Sequence, residues 1–155
     1  MISRTTEYAL RAMVCIAMRP DEHFSASTLS TLTAVPQDYL AKVLQQLSTA
    51  GFISGRRGVG GGYTLDKPPS EVRLIDIINA VSSLQRITTC PLGLDTHGPN
   101  LCPLHQTIDK AIAAALSVLN GVTLADLLEK HPRANAPLCN AQLLATPTIS
   151  TRARS

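Results

Sequence analysis

The sequence predicts a mainly α fold with one small β-wing: a winged helix-turn-helix followed by a long C-terminal helix. Three observations carry this. Hydrophobic residues make up 45% of the 155 positions and aromatics only 3%, so the core must be built from Leu, Ile, Val and Ala, which suits packed helices. A short helical pattern, a tight turn and a longer helical pattern follow one another before residue 51. Directly after them, two short strand patterns flank a glycine-rich stretch, Gly55 to Gly62.

The elements follow in order. In Glu7 to Met18, Ala9, Leu10, Met13, Val14, Ile16 and Ala17 recur at helical spacing until Pro20 forbids continuation. Ser25 or Ser27 can cap a second short helix bearing Leu29 and Leu32, which Val35-Pro36 ends. Pro36 suits the first position of a third helix, on which Tyr39, Leu40, Val43, Leu44 and Leu47 form a stripe as far as Gly51, its C-terminal stop. Phe52-Ile53-Ser54 and Tyr63-Thr64-Leu65 are the strands of the wing. Beyond the Pro-containing linker Asp66 to Glu71, a fourth helix carries Leu74, Ile75, Ile77, Ile78 and Val81.

After a loop from Thr89 to Leu101, a long helix bears the seam Leu104, Ile108, Ala111, Ile112, Ala115, Leu116 and Leu119. Its small residues allow close approach either to a second copy or within one chain. Asn120-Gly121 stops it, and Val122 to Lys130 forms a last helix with Thr123 as cap. Residues 1–67 thus read as a winged helix-turn-helix, 68–130 as a linker helix, a Cys/His loop and a dimerisation helix, and 131–155 as a tail expected to be disordered.

Composition bounds the function. A net charge of +3 and a pI near 8.8 permit a polyanionic partner without requiring one. The longest apolar run, Ala12 to Met18, lies between Arg11 and Arg19 and is too short to cross a membrane. Met1 to Thr6 lacks a secretory pattern. Four cysteines without such a signal fit a reducing compartment, so a cytoplasmic protein without membrane association is expected. No nucleotide-binding glycine motif, nucleophile–base pair or Cys-x-x-Cys is present, so an enzyme is not expected.

A wing needs glycines to turn and cations to meet phosphates or a minor groove, and Arg56 and Arg57 supply the cations. On the preceding helix Gln37, Asp38, Ala41, Lys42 and Gln45 lie opposite the apolar stripe, where side chains can reach base edges of double-stranded DNA. Taken singly, these are equally a solvated helix face and a flexible hairpin. Their order together favours nucleic acid.

The run Tyr39-Leu40 … Leu47 … Ala50-Gly51-Phe52-Ile53 … Arg57-Gly58-x-Gly60-Gly61-Gly62-Tyr63-x-Leu65 resembles the Rrf-two family of winged-helix transcription regulators. Thr6-Glu7-Tyr8-Ala9-Leu10-Arg11 resembles it too, as does Leu119-Asn120-Gly121-Val122-Thr123-Leu124-Ala125-Asp126-Leu127-Leu128, nearest to the family's nitric-oxide-responsive branch. The resemblance implies a homodimer on a partly palindromic operator, with the Gln37 to Gln45 face in the major groove and Arg57 on the neighbouring groove or phosphates; a repressor is expected. It also implies an iron-sulfur cluster, of the two-iron two-sulfur type, that senses redox, nitric oxide or iron status. Ala41 stands where some relatives carry an acidic residue. Alanine offers only an apolar contact where a carboxylate accepts from cytosine, which alters the expected base preference.

Cluster-binding relatives place three cysteines in the loop before the long helix. Cys90 and Cys102 match the first and last, Thr96 stands where the middle one would fall, and His97 is its nearest replacement. His105, three residues after Cys102, faces the same side if the helix begins near Pro103. Glu7 matches an acidic position that some relatives lend across the dimer. Thiolates with imidazole suit a cluster with mixed ligation or zinc. Three readings stand: a cluster, a zinc or thiol switch, and a loop without cofactor. A winged helix used as a protein-interaction module with no operator is the alternative from another class. Cys15 reads as a core residue, Cys139 as a free thiol of the tail, and His23 and His131 as exposed loop residues.

Overall fold

A computed structural model describes residues 2–93, 96 and 100–130. His97 and the segment 131–155, with His131 and Cys139, lie outside the described residues.

Helix α1 spans Arg4–Ala17. It begins a turn before the apolar periodicity because Ser3 caps it, its Oγ accepting the Thr6 N–H at 3.2 Å. Helix α2 spans Ala26–Thr33, and of the two candidate serines Ser25 is the cap, accepting the Thr28 N–H at 3.0 Å. The turn of the helix-turn-helix is closed by Ala34 in the left-handed region, φ 54°, and by Val35, whose N–H donates to Ser30 O and whose carbonyl accepts from Ser30 Oγ.

Helix α3 spans Gln37–Thr49, with Pro36 just outside it as N-cap rather than inside as its first residue. At its end Gly51 adopts φ 75°, the Gly51 N–H donates to Ser48 O and the Phe52 N–H to Leu47 O. This pair of bonds satisfies two terminal carbonyls and turns the chain into the wing.

The wing is an antiparallel pair, β1 Ile53–Arg56 and β2 Gly62–Leu65, in the register Ile53 to Leu65 and Arg56 to Gly62. It is also fastened to the body. Phe24 and Tyr63 exchange N–H···O bonds of 2.8 and 2.9 Å, which makes the segment before α2 a third rung beside β2.

A short 3-10 turn, Pro69–Glu71, leads to α4, Leu74–Val81. The long α5 spans Pro103–Asn120 and α6 spans Leu124–Lys130. Helix α1 runs through the middle, touching α2, α3, α4 and α6. Its Ala9 and Ala12 are fully buried, and alanines there let neighbouring helices approach closely enough for Leu29, Leu40, Leu44, Leu47, Ile77 and Leu124 to join one cluster. Burying each such Leu or Ile contributes about 1.5–3 kcal/mol. Cys15 is in this core, as its place on the apolar stripe predicts. Residues on both sides of 67/68 share the cluster, because Val72 and Leu124 meet across backbone bonds from Leu124 N–H to Val72 O and from Leu74 N–H to Val122 O. Helix α5 packs chiefly on α4, and none of its residues belongs to the core cluster.

Candidate functional site

Three surfaces follow from this architecture. The first joins α3 to the wing. Leu40, Val43, Leu44 and Leu47 anchor α3 in the core, which turns Gln37, Asp38, Ala41, Lys42 and Gln45 outward, all exposed. Arg56 ends β1, Arg57 follows it in the turn, and both are exposed. Gln45, Ser48, Thr49, Arg56 and Arg57 line one cleft between the helix and the wing. The two cations and the polar helix face therefore form one continuous surface. Tyr39, which its spacing assigns to the apolar stripe, is instead 62% exposed and stands edge-on to Tyr8 of α1, ring centroids 6.4 Å apart. These two rings extend the surface onto α1. The alternation of apolar residues could not show this, because position 39 lies at the edge of the stripe and its neighbour comes from another helix.

The second surface is the Cys/His loop. Cys102 is the N-cap of α5, so its side chain and that of His105, one turn on, share a face. Cys90 approaches from the segment after α4. Nδ1 of His105 lies 3.2 Å from Cys102 Sγ and 3.6 Å from Cys90 Sγ. The three donor atoms all lie within 4.8 Å of one another and each residue is half-buried. None of Cys15, Cys90 and Cys102 is in a disulfide. Two thiols and an imidazole at these separations fit a borderline or soft metal; the edge between a sulfur and a nitrogen on one tetrahedral ion with zinc-like bond lengths is about 3.6 Å. Glu7 is not in this group. It lies on α1, paired with Arg11, and Arg11 also donates to the carbonyl of Thr33 at the end of α2, 3.2 Å.

Beside the donors lies a pairing without a sequence signal. Asp109, one turn beyond His105 on α5, is buried, and its carboxylate accepts from Arg86 Nε at 2.6 Å, from Arg86 Nη2 and from the Ile87 N–H at 3.0 Å. The hydrogen bond from Arg86 holds the Asp109 carboxyl below the usual aspartate range; burial opposes this, and the Ile87 N–H adds to it. A lone Asp on a helix and an Arg in the preceding loop carry no periodicity that would join them.

The third surface is on α5. The predicted seam divides: Leu104, Ile108, Ala111 and Ala115 are exposed and, with the exposed Val118 that the seam did not include, repeat at spacings of four and three, whereas Ile112, Leu116 and Leu119 are half-buried. The exposed stripe has the heptad spacing of a helix–helix contact. It borders a groove lined by Ile2, Thr6, Ile78, Leu84, Ile108 and Leu119. No helix among the described residues is long and apolar enough to cross a membrane.

Residues 2–130 match the family model of Rrf2, the Rrf-two family, described as an iron-dependent transcriptional regulator. Among solved structures, IscR from T. potens superposes with a TM-score of 0.71 at 22% identity, covering 88% of this chain and 91% of that one. CymR of B. subtilis, described as a global cysteine regulator, gives 0.68 at 22% identity over 83% and 96% of the two chains. The oxidised form of CymR from Staphylococcus aureus gives 0.65 at 26% identity over 83% and 96%.

Proposed function

Since this chain belongs to the Rrf2 family, and is therefore a transcription regulator and not an enzyme, we propose that it binds a DNA operator as a homodimer under the control of an iron-sulfur cluster held by Cys90, Cys102 and His105. The observation that carries the reading is the meeting of those three donors within 4.8 Å, from two separate segments. Gln37, Asp38, Ala41, Lys42 and Gln45 of each copy read one half-site, and Arg56 and Arg57 neutralise phosphate beside it. His97 and a Glu7 given across the dimer are the candidates to complete the ligand set; Glu7 must then leave Arg11, which itself holds the end of α2. When bound, a cluster supplies a redox-sensitive charge at the start of α5. Loss or oxidation then shifts DNA affinity, provided the two states hold the recognition helices differently. Repression is the expected output.

A second reading is favoured by the sulfur–nitrogen separations of 3.2 and 3.6 Å, which suit a single zinc ion equally well. Anaerobic purification followed by iron, sulfide and zinc analysis separates the two: iron and sulfide in near-equal amounts support the cluster, stoichiometric zinc the alternative, and neither metal after reconstitution sinks both. Gel shifts with the promoter region of its own gene test the operator. Arg57→Ala is expected to weaken binding by a similar factor on all sequences and to lower the salt slope by about 1. Specific binding that the substitution leaves unchanged would remove the wing from the interface.

A further inference from the structure

We propose that Arg86 and Asp109 are the positioning pair of the Cys90–Cys102–His105 site, one carboxylate fixing both arms that bring the donors together; this rests on the reading that those donors hold a metal.

The need for such a device follows from how the site is built. Cys102 and His105 belong to the first turn of α5 and move with that helix. Cys90 belongs to the segment between α4 and α5, whose residues 83–90 are neither helix nor strand. Among the described residues no strand pairing joins it to α5. Something must hold this segment against α5, or forming the site would require ordering it at the moment of binding.

Asp109 supplies that hold. It lies four residues after His105, hence on the same face of α5. It receives the planar fork of Arg86 and the backbone N–H of Ile87, so a side chain four residues before Cys90 and a main-chain group three residues before it end on one carboxylate. A bidentate guanidinium fixes orientation as well as distance, and a third donor from the backbone fixes the path of the chain itself.

Three contrasts point to the site. Asp109 is the single buried charged side chain among the described residues. The ion pairs Glu7–Arg11, Arg19–Glu22 and Arg73–Asp76 each join residues three or four apart, whereas Arg86–Asp109 joins separate segments. The other end of the same segment is also fastened, by Ser82 Oγ to Thr6 Oγ1 of α1 at 2.9 Å and by the Leu84 N–H to Asn79 Oδ1 at 3.2 Å. The segment is therefore pinned to α1 and α4 at its start and to α5 just before Cys90. A metal that draws Cys90 towards His105 finds the path already set.

The test uses the full reduced chain under anaerobic conditions with cobalt(II), whose thiolate charge-transfer and ligand-field bands report donor set and geometry. Affinity is measured by competition with a chromophoric chelator for the wild type, Arg86→Gln, Arg86→Lys, Asp109→Asn and, as a matched bidentate pair away from the site, Arg73→Gln. Arg86→Gln and Asp109→Asn are expected to weaken cobalt binding about 10- to 100-fold and to alter the bands. Arg86→Lys should recover part of the loss, since one cation without a fork restores charge but not orientation, and Arg73→Gln should match the wild type. Melting of the metal-free forms separates a general loss of stability from a change at the site. If Asp109→Asn does not fold, Arg86→Gln decides, because that side chain is 54% exposed. Folded variants with wild-type affinity and bands overturn the positioning role alone. A wild type that takes up neither cobalt nor zinc nor a cluster overturns the metal site, and this proposal with it.

Discussion

Gly62 shows how much a single position can decide. Its φ is 141°, and a Cβ built there would stand 2.5 to 2.9 Å from the backbone N, C and O of Phe24, the residue whose backbone bonds fasten the wing to the body through Tyr63. Neither the dihedral nor the close approach leaves room for a side chain, and main chain cannot rotate away as a rotamer can. Gly62→Ala is therefore expected to destabilise the fold by about 2 kcal/mol or more, read as a lower midpoint in denaturant at unchanged slope. DNA affinity should fall further than stability explains, because Arg56 pairs with residue 62 across the wing. An unchanged midpoint would mean that the wing is not held by the Phe24 rung. The glycine run was legible as a hairpin, but not the reason for its last member, since Phe24 is brought to it only by the tertiary fold. The candidate site divides the same way. Cys90 and Cys102 were picked out by the resemblance to cluster-binding relatives and His105 by its spacing from Cys102 at one helix start, and the three donor atoms do lie together. Arg86 and Asp109 were not, because ion pairs between distant segments leave no pattern.

Helices were legible where apolar spacing and a stop signal agreed, and their starts were less so. Helix α1 begins at Arg4 because Ser3 caps it, although the residues between are polar and show no stripe. In α5 the sequence showed one broad apolar face; the structure divides it, because α4 covers one side only. At α6, predicted from Val122, the helix begins at Leu124, with Thr123 as its cap as predicted. The Asp126 carboxylate accepts from the Thr123 N–H at 2.7 Å and Thr123 Oγ at 2.8 Å, and the Asp126 N–H donates back to Thr123 Oγ at 3.2 Å. The backbone bond from Thr123, then its hydroxyl, hold the Asp126 carboxyl below the usual aspartate range, against its partial desolvation. A carboxyl lowered in the folded state contributes stability that is complete above its unfolded value and is lost as pH falls through the folded one. The melting temperature of Asp126→Asn should thus lie furthest below that of the wild type near neutral pH, and the gap should close in acid below the ordinary aspartate range. A gap that stays constant over that range would show that the carboxylate charge plays no part in holding α6.

The dimer proposed above would assemble on a stripe of α5 that no other helix covers among the described residues. Leu104 is 64% exposed, Ile108 40% and Val118 66%, with Ala111 and Ala115 between them, and a repeat of four and three keeps all five on one side over the length of the helix. A lone chain gains nothing from placing this stripe in water, and two copies meeting there bury it on both sides. The small alanines at its centre permit close helix approach while the larger residues at either end set the register. The same helix carries Cys102 and His105 at its start, so on the proposed reading an interface along it would set the candidate metal site beside the partner and link it to the spacing of the two recognition helices, about 34 Å for successive half-sites. Because Ile108 and Val118 are exposed in one chain, charging them should spare its own core. Ile108→Glu with Val118→Glu is expected to convert the protein from a dimer to a species near the 16.5 kDa of one chain in sedimentation equilibrium, with helical circular dichroism retained. Binding to a palindromic operator should fall by at least about 100-fold, since each half-site is then engaged without the effective concentration the dimer provides, while salt-sensitive binding to unrelated DNA should change little. A dimer that survives both charges would place the interface elsewhere and remove the link between the start of α5 and half-site spacing.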